Sequence, residues 1–151
     1  MVIIQGKHRG TLVALYGILR KNGSAFHDID DEHVKHVGTY ISEPKYTMYD
    51  IGSVFPAIIR EGNTPITLEL FSIDKLDFED IIDEVMGYDI LHLDTSLFTK
   101  HVIDTPFGAG FIYYYNRKIR DIDRKIESGD WLYNLTAFNK NTQLEYDKNI
   151  I

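Results

Sequence analysis

The sequence predicts an α+β fold in which a mixed or mostly antiparallel sheet closes partly into a barrel, and three observations support this. Short apolar runs and alternating runs, which are typical of strands, fill most of the first two thirds of the chain. Aromatic residues, which pack well in strands, make up 13% of the sequence. Residues 78–85 carry apolar side chains at i, i+3, i+4 and i+7, the spacing of one helical face. Since 151 residues correspond to one ordinary domain, we expect a single domain over residues 1–138 and a polar tail over 139–151.

Strands are predicted wherever a short apolar or alternating run is bounded by turn residues. The predicted strands of the first half span residues 12–16, 37–41, 46–51, 55–59 and 66–73. Gly17 ends the first strand and Pro44 ends the second, since proline lacks the N–H that a ladder needs. Gly62 and Asn63, flanked by apolar runs, predict a hairpin turn between the last two of these strands.

The helix over residues 78–85 is expected to begin at an N-cap, Asp74 or Asp77, and to end at Gly87. Two further strands, residues 97–103 and 110–115, are predicted to pair across a turn at 105–108.

Charge and composition argue against several functional classes. The 16 Lys and Arg residues against 23 Asp and Glu give a net charge of −7, which disfavours both nucleic acid and anionic membranes as partners. The absence of cysteine removes disulfides, thiolate zinc sites and cysteine nucleophiles, and it fits a reducing compartment. No apolar run has the length of a signal peptide or a membrane span. We therefore expect a cytoplasmic protein with neither nucleic acid nor membrane as a partner.

Acidic and imidazole side chains crowd residues 27–36, where Asp30 or Asp31 is expected to cap a short helical turn that runs through His36. On such a turn His33 and His36 would share one face, and these ligand types suit zinc, manganese or iron. However, the cluster matches no familiar metal motif, and acidic runs at helix starts commonly act as caps. The sequence therefore predicts no metal site, with this cluster as the weaker alternative.

Three segments taken in order carry a resemblance. They are residues 15–20 (LYGILR), residues 52–58 (GSVFPAI), and residues 69–73 (ELFSI) leading into 82–88 (IDEVMGY). A Ser-Gly-Asp-Trp stretch at 128–131 adds to them. Together they resemble the γ-glutamylcyclotransferase-like superfamily, including its AIG2-like and γ-glutamylamine cyclotransferase branches, over roughly residues 11–132.

The resemblance implies a small mixed β-barrel with flanking helices and a pocket for a small γ-glutamyl-type ligand. In the family reaction the α-amine attacks the γ-carbonyl of the same glutamyl group, releasing 5-oxoproline and an amine without metal or cofactor. Backbone N–H groups that follow the first strand are suited to holding a carboxylate. The substrate-binding residues that we expect are Tyr16, Gly17, Ile18, Leu19, Arg20, Pro56, Met86 and Tyr115.

The chain departs from the family pattern at the catalytic position. The family has Glu directly before the helix-ending glycine, and this chain has Met86, which cannot act as a base at neutral pH. Ile18 replaces the Ser or Thr of the first motif, and Leu68 replaces a glycine. Glu84 lies about 200° from Met86 around a helix and is no simple substitute. Glu69, which matches a family Glu on the preceding strand, is the remaining candidate for the base.

Two functions follow from these observations. The first is a γ-glutamylcyclotransferase-like enzyme of weak or altered activity that releases 5-oxoproline. The second is a catalytically inactive member, or pseudoenzyme, that acts as a ligand-binding module or as an inhibitory or regulatory module with a protein partner.

Overall fold

The computed structural model describes residues 10–17, 32–74 and 76–131. Its strands and helices are β1 (Thr11–Leu15), β2 (Val34–Ile41), β3 (Tyr46–Ile51), β4 (Phe55–Thr64), β5 (Thr67–Ile73), α1 (Leu76–Val85), a short 3-10 helix (Leu93–Thr95), β6 (Phe98–Thr105), β7 (Gly108–Tyr115) and β8 (Arg124–Lys125). Within this part of the chain no helix combines the length and the apolar character that crossing a membrane demands.

The strands form a five-stranded sheet in the order β2-β5-β1-β7-β6 and a three-stranded sheet in the order β4-β3-β8. The central β1 runs antiparallel to β5 and parallel to β7, so the larger sheet is mixed. The predicted α+β class with a mixed sheet is confirmed. Over the described residues the strands make two sheets and do not close into one barrel.

Both sheets contribute to one hydrophobic core. Leu68 and Leu70 of the larger sheet and Met48 and Ile58 of the smaller sheet are fully buried in the same cluster. Helix α1 packs on β5 and buries Ile82 completely. Burial of this apolar surface is the main force that holds the two sheets and the helix together.

Most predicted elements are confirmed within one to three residues, including the helix and the β6–β7 hairpin. The predicted hairpin at Gly62 and Asn63 is wrong, because β4 continues to Thr64 and pairs with β3, whereas β5 pairs with β1 and β2. The partners of Tyr46 and Thr47 on β4 are Thr64 and Ile59, so residues 60–63 form a bulge. Gly62 has a φ of 132° there, and this explains why a turn-forming residue stands inside a strand.

The predicted helical turn through His36 is also wrong. Residues 34–41 form β2, in which His36 pairs with Phe71 of β5. Pairing with β5 from Val34 to Ile41 outweighed the helix-start signal of the acidic run. Its expected caps, Asp30 and Asp31, lie outside the described residues, as does the expected tail.

Candidate functional site

A cleft opens at the carboxyl end of β1, between the end of α1 and the starts of β4 and β6. Its empty volume, which includes the open mouth, is about 500 Å³. Of the residues expected to bind substrate, Tyr16, Gly17, Pro56 and Met86 line it together. The other lining residues are mostly apolar: Ala14, Leu15, Phe55, Val85, Leu97, Phe98 and Tyr113. We call this site the Gly17 cleft.

Gly17 lets the backbone lie close to β4 at the wall of this cleft. A Cβ atom at position 17 would lie 2.8 Å from Cγ of Pro56, which is shorter than real Cβ contacts. Any larger residue would therefore push the proline ring aside or narrow the cleft.

Met86 reaches the Gly17 cleft from the end of α1. The helix ends there because Gly87 adopts a φ of 63° and the Tyr88 N–H returns to the Asp83 carbonyl at 2.8 Å. A hydrogen bond of 2.8 Å from the Leu97 N–H to the Gly87 carbonyl ties this end to the next wall of the cleft. Met86, the residue at which the resemblance leads us to expect a Glu in the family, thus lines the cleft with its thioether.

The Tyr16 hydroxyl forms hydrogen bonds with backbone groups of both sheets. It donates to the Tyr113 carbonyl at 2.8 Å and accepts from the Ile58 N–H at 3.4 Å. Burial raises the pKa of Tyr16 far above its usual range, although the bond from Ile58 opposes that shift. Tyr16 therefore stays neutral and holds the cleft in shape, and it is no acid or base at neutral pH.

A polar network beside the Gly17 cleft was not predicted from the sequence. The Tyr113 hydroxyl donates to Oδ1 of Asp83 at 2.5 Å, and Lys100 Nζ lies 3.2 Å from the same oxygen and 3.5 Å from Oε1 of Glu79. Burial, followed by the bond to Asp83, raises the pKa of Tyr113 far above its usual range. In the sequence, only Asp83 within the helix-ending segment could have pointed to this network. The strand register that places Lys100 opposite Tyr113 exists only in the folded sheet.

Glu69 lies on β5 directly opposite Leu15, so the two side chains share a face of the sheet. It is 6% exposed, its Oε1 lies 3.8 Å from Nε2 of His36, and it does not line the cleft. Among the described residues no carboxylate lines the Gly17 cleft.

Tyr115 lies behind the cleft wall. Its ring centroid is 6.3 Å from that of Phe55 and 5.5 Å from that of Phe98, both of which line the cleft. Tyr113, two residues earlier on β7, lines the Gly17 cleft instead. Ile18, Leu19 and Arg20, also expected at the site, lie outside the described residues.

The described part of the chain contains no group of three or more His, Asp or Glu side chains placed to hold a metal ion. His33 instead contacts Asp74, with 2.7 Å between Nδ1 and Oδ1.

Comparison with known proteins relates the chain to one family. A family model described as gamma-glutamyl cyclotransferase, AIG2-like, matches residues 13–133. A candidate gamma-glutamylcyclotransferase of Vibrio cholerae is 31% identical over 120 residues, covering 80% of this chain and 94% of that protein. The Escherichia coli gamma-glutamylcyclotransferase family protein YtfP is 27% identical over 120 residues, covering 80% and 95%.

Solved structures agree with this relationship. The solution structure of YtfP from Escherichia coli aligns with a TM-score of 0.57 at 26% identity, covering 80% of this chain and 96% of that one. An uncharacterized protein from Pyrococcus horikoshii aligns with a TM-score of 0.67 at 22% identity, covering 86% and 97%. The second likeness concerns the fold alone.

Proposed function

Because the chain belongs to the gamma-glutamyl cyclotransferase, AIG2-like family, we propose that it binds a small γ-glutamyl-type ligand in the Gly17 cleft and turns it over weakly or not at all. The proposal rests above all on Met86, which lines the cleft at the position of the family's catalytic Glu.

The shape of the cleft supports ligand binding. Gly17 keeps the backbone close to Pro56 at the wall of the cleft, and from the sequence we expect N–H groups that follow β1 to hold a carboxylate there. The apolar walls from Phe55, Leu97 and Phe98 exclude water from a bound ligand, which strengthens its polar contacts.

The chemistry of the cleft supports weak turnover. Cyclisation needs a group that takes a proton from the α-ammonium, since an ammonium has no lone pair with which to attack the γ-carbonyl. Met86 does not supply such a group, and Glu69 and Asp83 both lie outside the lining. Holding the amine near the carbonyl would still contribute some rate acceleration through proximity.

The same observation favours a second candidate function. A cleft that binds ligands but lacks a base suits a catalytically inactive member that senses a γ-glutamyl-type ligand or presents it to a protein partner. Fold and family leave this choice open, because function depends on the site.

The test measures binding and turnover separately. The natural chain and the variants Met86→Glu, Met86→Gln and Glu69→Gln are incubated with γ-glutamyl amines and γ-glutamyl dipeptides. Released 5-oxoproline reports turnover, and calorimetry reports binding. We expect binding by all four proteins, little 5-oxoproline from the natural chain, and about a hundredfold more from Met86→Glu. Met86→Gln is the matched control, because it has the length of Glu without the proton acceptor.

The outcomes separate the two functions. Binding without turnover, even by Met86→Glu, would favour the inactive module. Turnover by the natural chain that Glu69→Gln abolishes would identify Glu69 as the base. If none of these compounds binds to any of the four proteins, the proposed function is wrong.

A further inference from the structure

A second cleft lies between the two sheets, at the opposite ends of β4 and β6 from the Gly17 cleft. Its empty volume, which includes the open mouth, is about 670 Å³, and it shares no lining residue with the first. Arg60 stands at its wall on the bulge of β4, and Asp104 stands near the end of β6. We call this site the Arg60 cleft. Unlike the Gly17 cleft, it is lined mostly by polar groups.

Arg60 and Asp104 are exposed residues of opposite charge in the lining of this cleft. Neither side chain makes a hydrogen bond or ion pair within the described residues. The two other charged residues of the lining, Lys45 and Glu43, form an ion pair of 3.6 Å. The cleft therefore has one guanidinium and one carboxylate available for a ligand.

Two buried tyrosine hydroxyls add to these groups. Tyr46 is 1% exposed and Tyr114 is 9% exposed, and their hydroxyl oxygens lie 3.3 Å apart. Only one of the two protons serves that contact, and the other has no acceptor among the described residues. His101 stacks on the Tyr114 ring at 4.7 Å between centroids, which fixes the orientation of that ring. Both tyrosines line the cleft, so the second hydroxyl proton can be donated to a ligand oxygen there.

From this arrangement we propose that the Arg60 cleft binds a small zwitterion of the amino-acid class. Arg60 and the tyrosine hydroxyl whose proton is not used between Tyr46 and Tyr114 bind its carboxylate, and Asp104 binds its ammonium. A simple anion would leave Asp104 unpaired, and a simple cation would leave Arg60 unpaired. The volume accommodates a free amino acid with a side chain. This proposal is independent of the function proposed for the Gly17 cleft.

The experiment is an NMR titration of the full chain at neutral pH with three matched compounds. L-Alanine has both charges, propionate lacks the ammonium, and ethylamine lacks the carboxylate. We expect alanine to bind, and Arg60→Gln and Asp104→Asn each to weaken it about tenfold. Propionate binding should weaken only in Arg60→Gln, and ethylamine binding should weaken only in Asp104→Asn. Tyr114→Phe, which keeps the stacked ring, should also weaken alanine binding.

Two substitutions of exposed charges elsewhere, Arg124→Gln and Asp94→Asn, are the controls and should leave alanine binding unchanged. Alanine binding that is absent, or equally strong in Arg60→Gln and Asp104→Asn, would overturn the proposal. Inorganic phosphate that binds more tightly than alanine would also overturn it, because the site would then select an anion. Met86→Ala should not change alanine binding, and a large effect would place alanine in the Gly17 cleft instead.

Discussion

At the scale of single residues, Asp83 joins the helix to the sheet. Its carboxylate accepts the Tyr113 hydroxyl and faces Lys100, whose side chain is only 12% exposed. A charge that is this deeply buried is stable only while an opposite charge compensates it. Asp83 lies three residues before Met86, so the network that fixes this end of α1 also fixes the wall of the Gly17 cleft.

We therefore expect Asp83→Asn to lower the free energy of unfolding by about 2 kcal/mol at pH 7. The loss stays moderate because Glu79 still faces Lys100. Urea denaturation measures it, with Asp80→Asn, an exposed position on the same helix, as the matched control. Equal effects of the two substitutions would contradict a special role of Asp83.

At the scale of elements, Asp123 connects two turns. Its carboxylate accepts the Gly52 N–H at 3.1 Å, in the turn between β3 and β4, and the Arg120 N–H at 2.8 Å, in the segment before β8. The Arg120 guanidinium lies 3.1 Å away. The bond from that guanidinium is the main reason why the pKa of Asp123 lies below its usual range, and the two backbone N–H donors add to the effect.

A depressed pKa predicts a definite dependence of stability on pH. The contribution of Asp123 is fully present above the pKa of the unfolded chain, about 4, and is lost as the pH falls through the folded-state pKa. Asp123→Asn should therefore unfold more easily than the natural chain at pH 7 and differ from it less as the pH falls below about 4. Thermal melts from pH 7 to pH 2.5 measure this. A constant difference in Tm over that range would contradict it.

At the scale of the whole molecule, the Tyr16 hydroxyl connects the two sheets. It donates to a backbone carbonyl of β7 in the larger sheet and accepts from a backbone N–H of β4 in the smaller sheet. Both of these backbone groups belong to buried residues, and one side-chain oxygen bonds to both of them. The residue that lines the Gly17 cleft thus also helps to fix how the sheets pack.

Tyr16→Phe should cost about 2 kcal/mol in free energy of unfolding, since it leaves a buried carbonyl and a buried N–H without this partner. Hydrogen exchange at the Ile58 amide should become faster in the same variant. Tyr49→Phe is the control, because the Tyr49 hydroxyl makes no hydrogen bond within the described residues. An unchanged exchange rate at Ile58 would show that the hydroxyl does not link the sheets.

The prediction from sequence succeeded where the signal was local. The apolar spacing at residues 78–85 and the glycine at 87 were enough for the helix, and alternation was enough for β3 and β5. It failed at Gly62, because a glycine with positive φ serves a bulge as well as a turn. It also failed at His36, where strand pairing with β5 overrides a local preference for a helix.

The sequence by itself determined the family and the α+β class, because both depend on the order and spacing of residue types along the chain. The tertiary structure alone decided which side chains meet. It placed Tyr113 rather than Tyr115 in the cleft wall, left Glu69 outside the lining, and brought Asp83 and Lys100 together. Strand order and register set these contacts between residues far apart in the chain, and no local pattern encodes register.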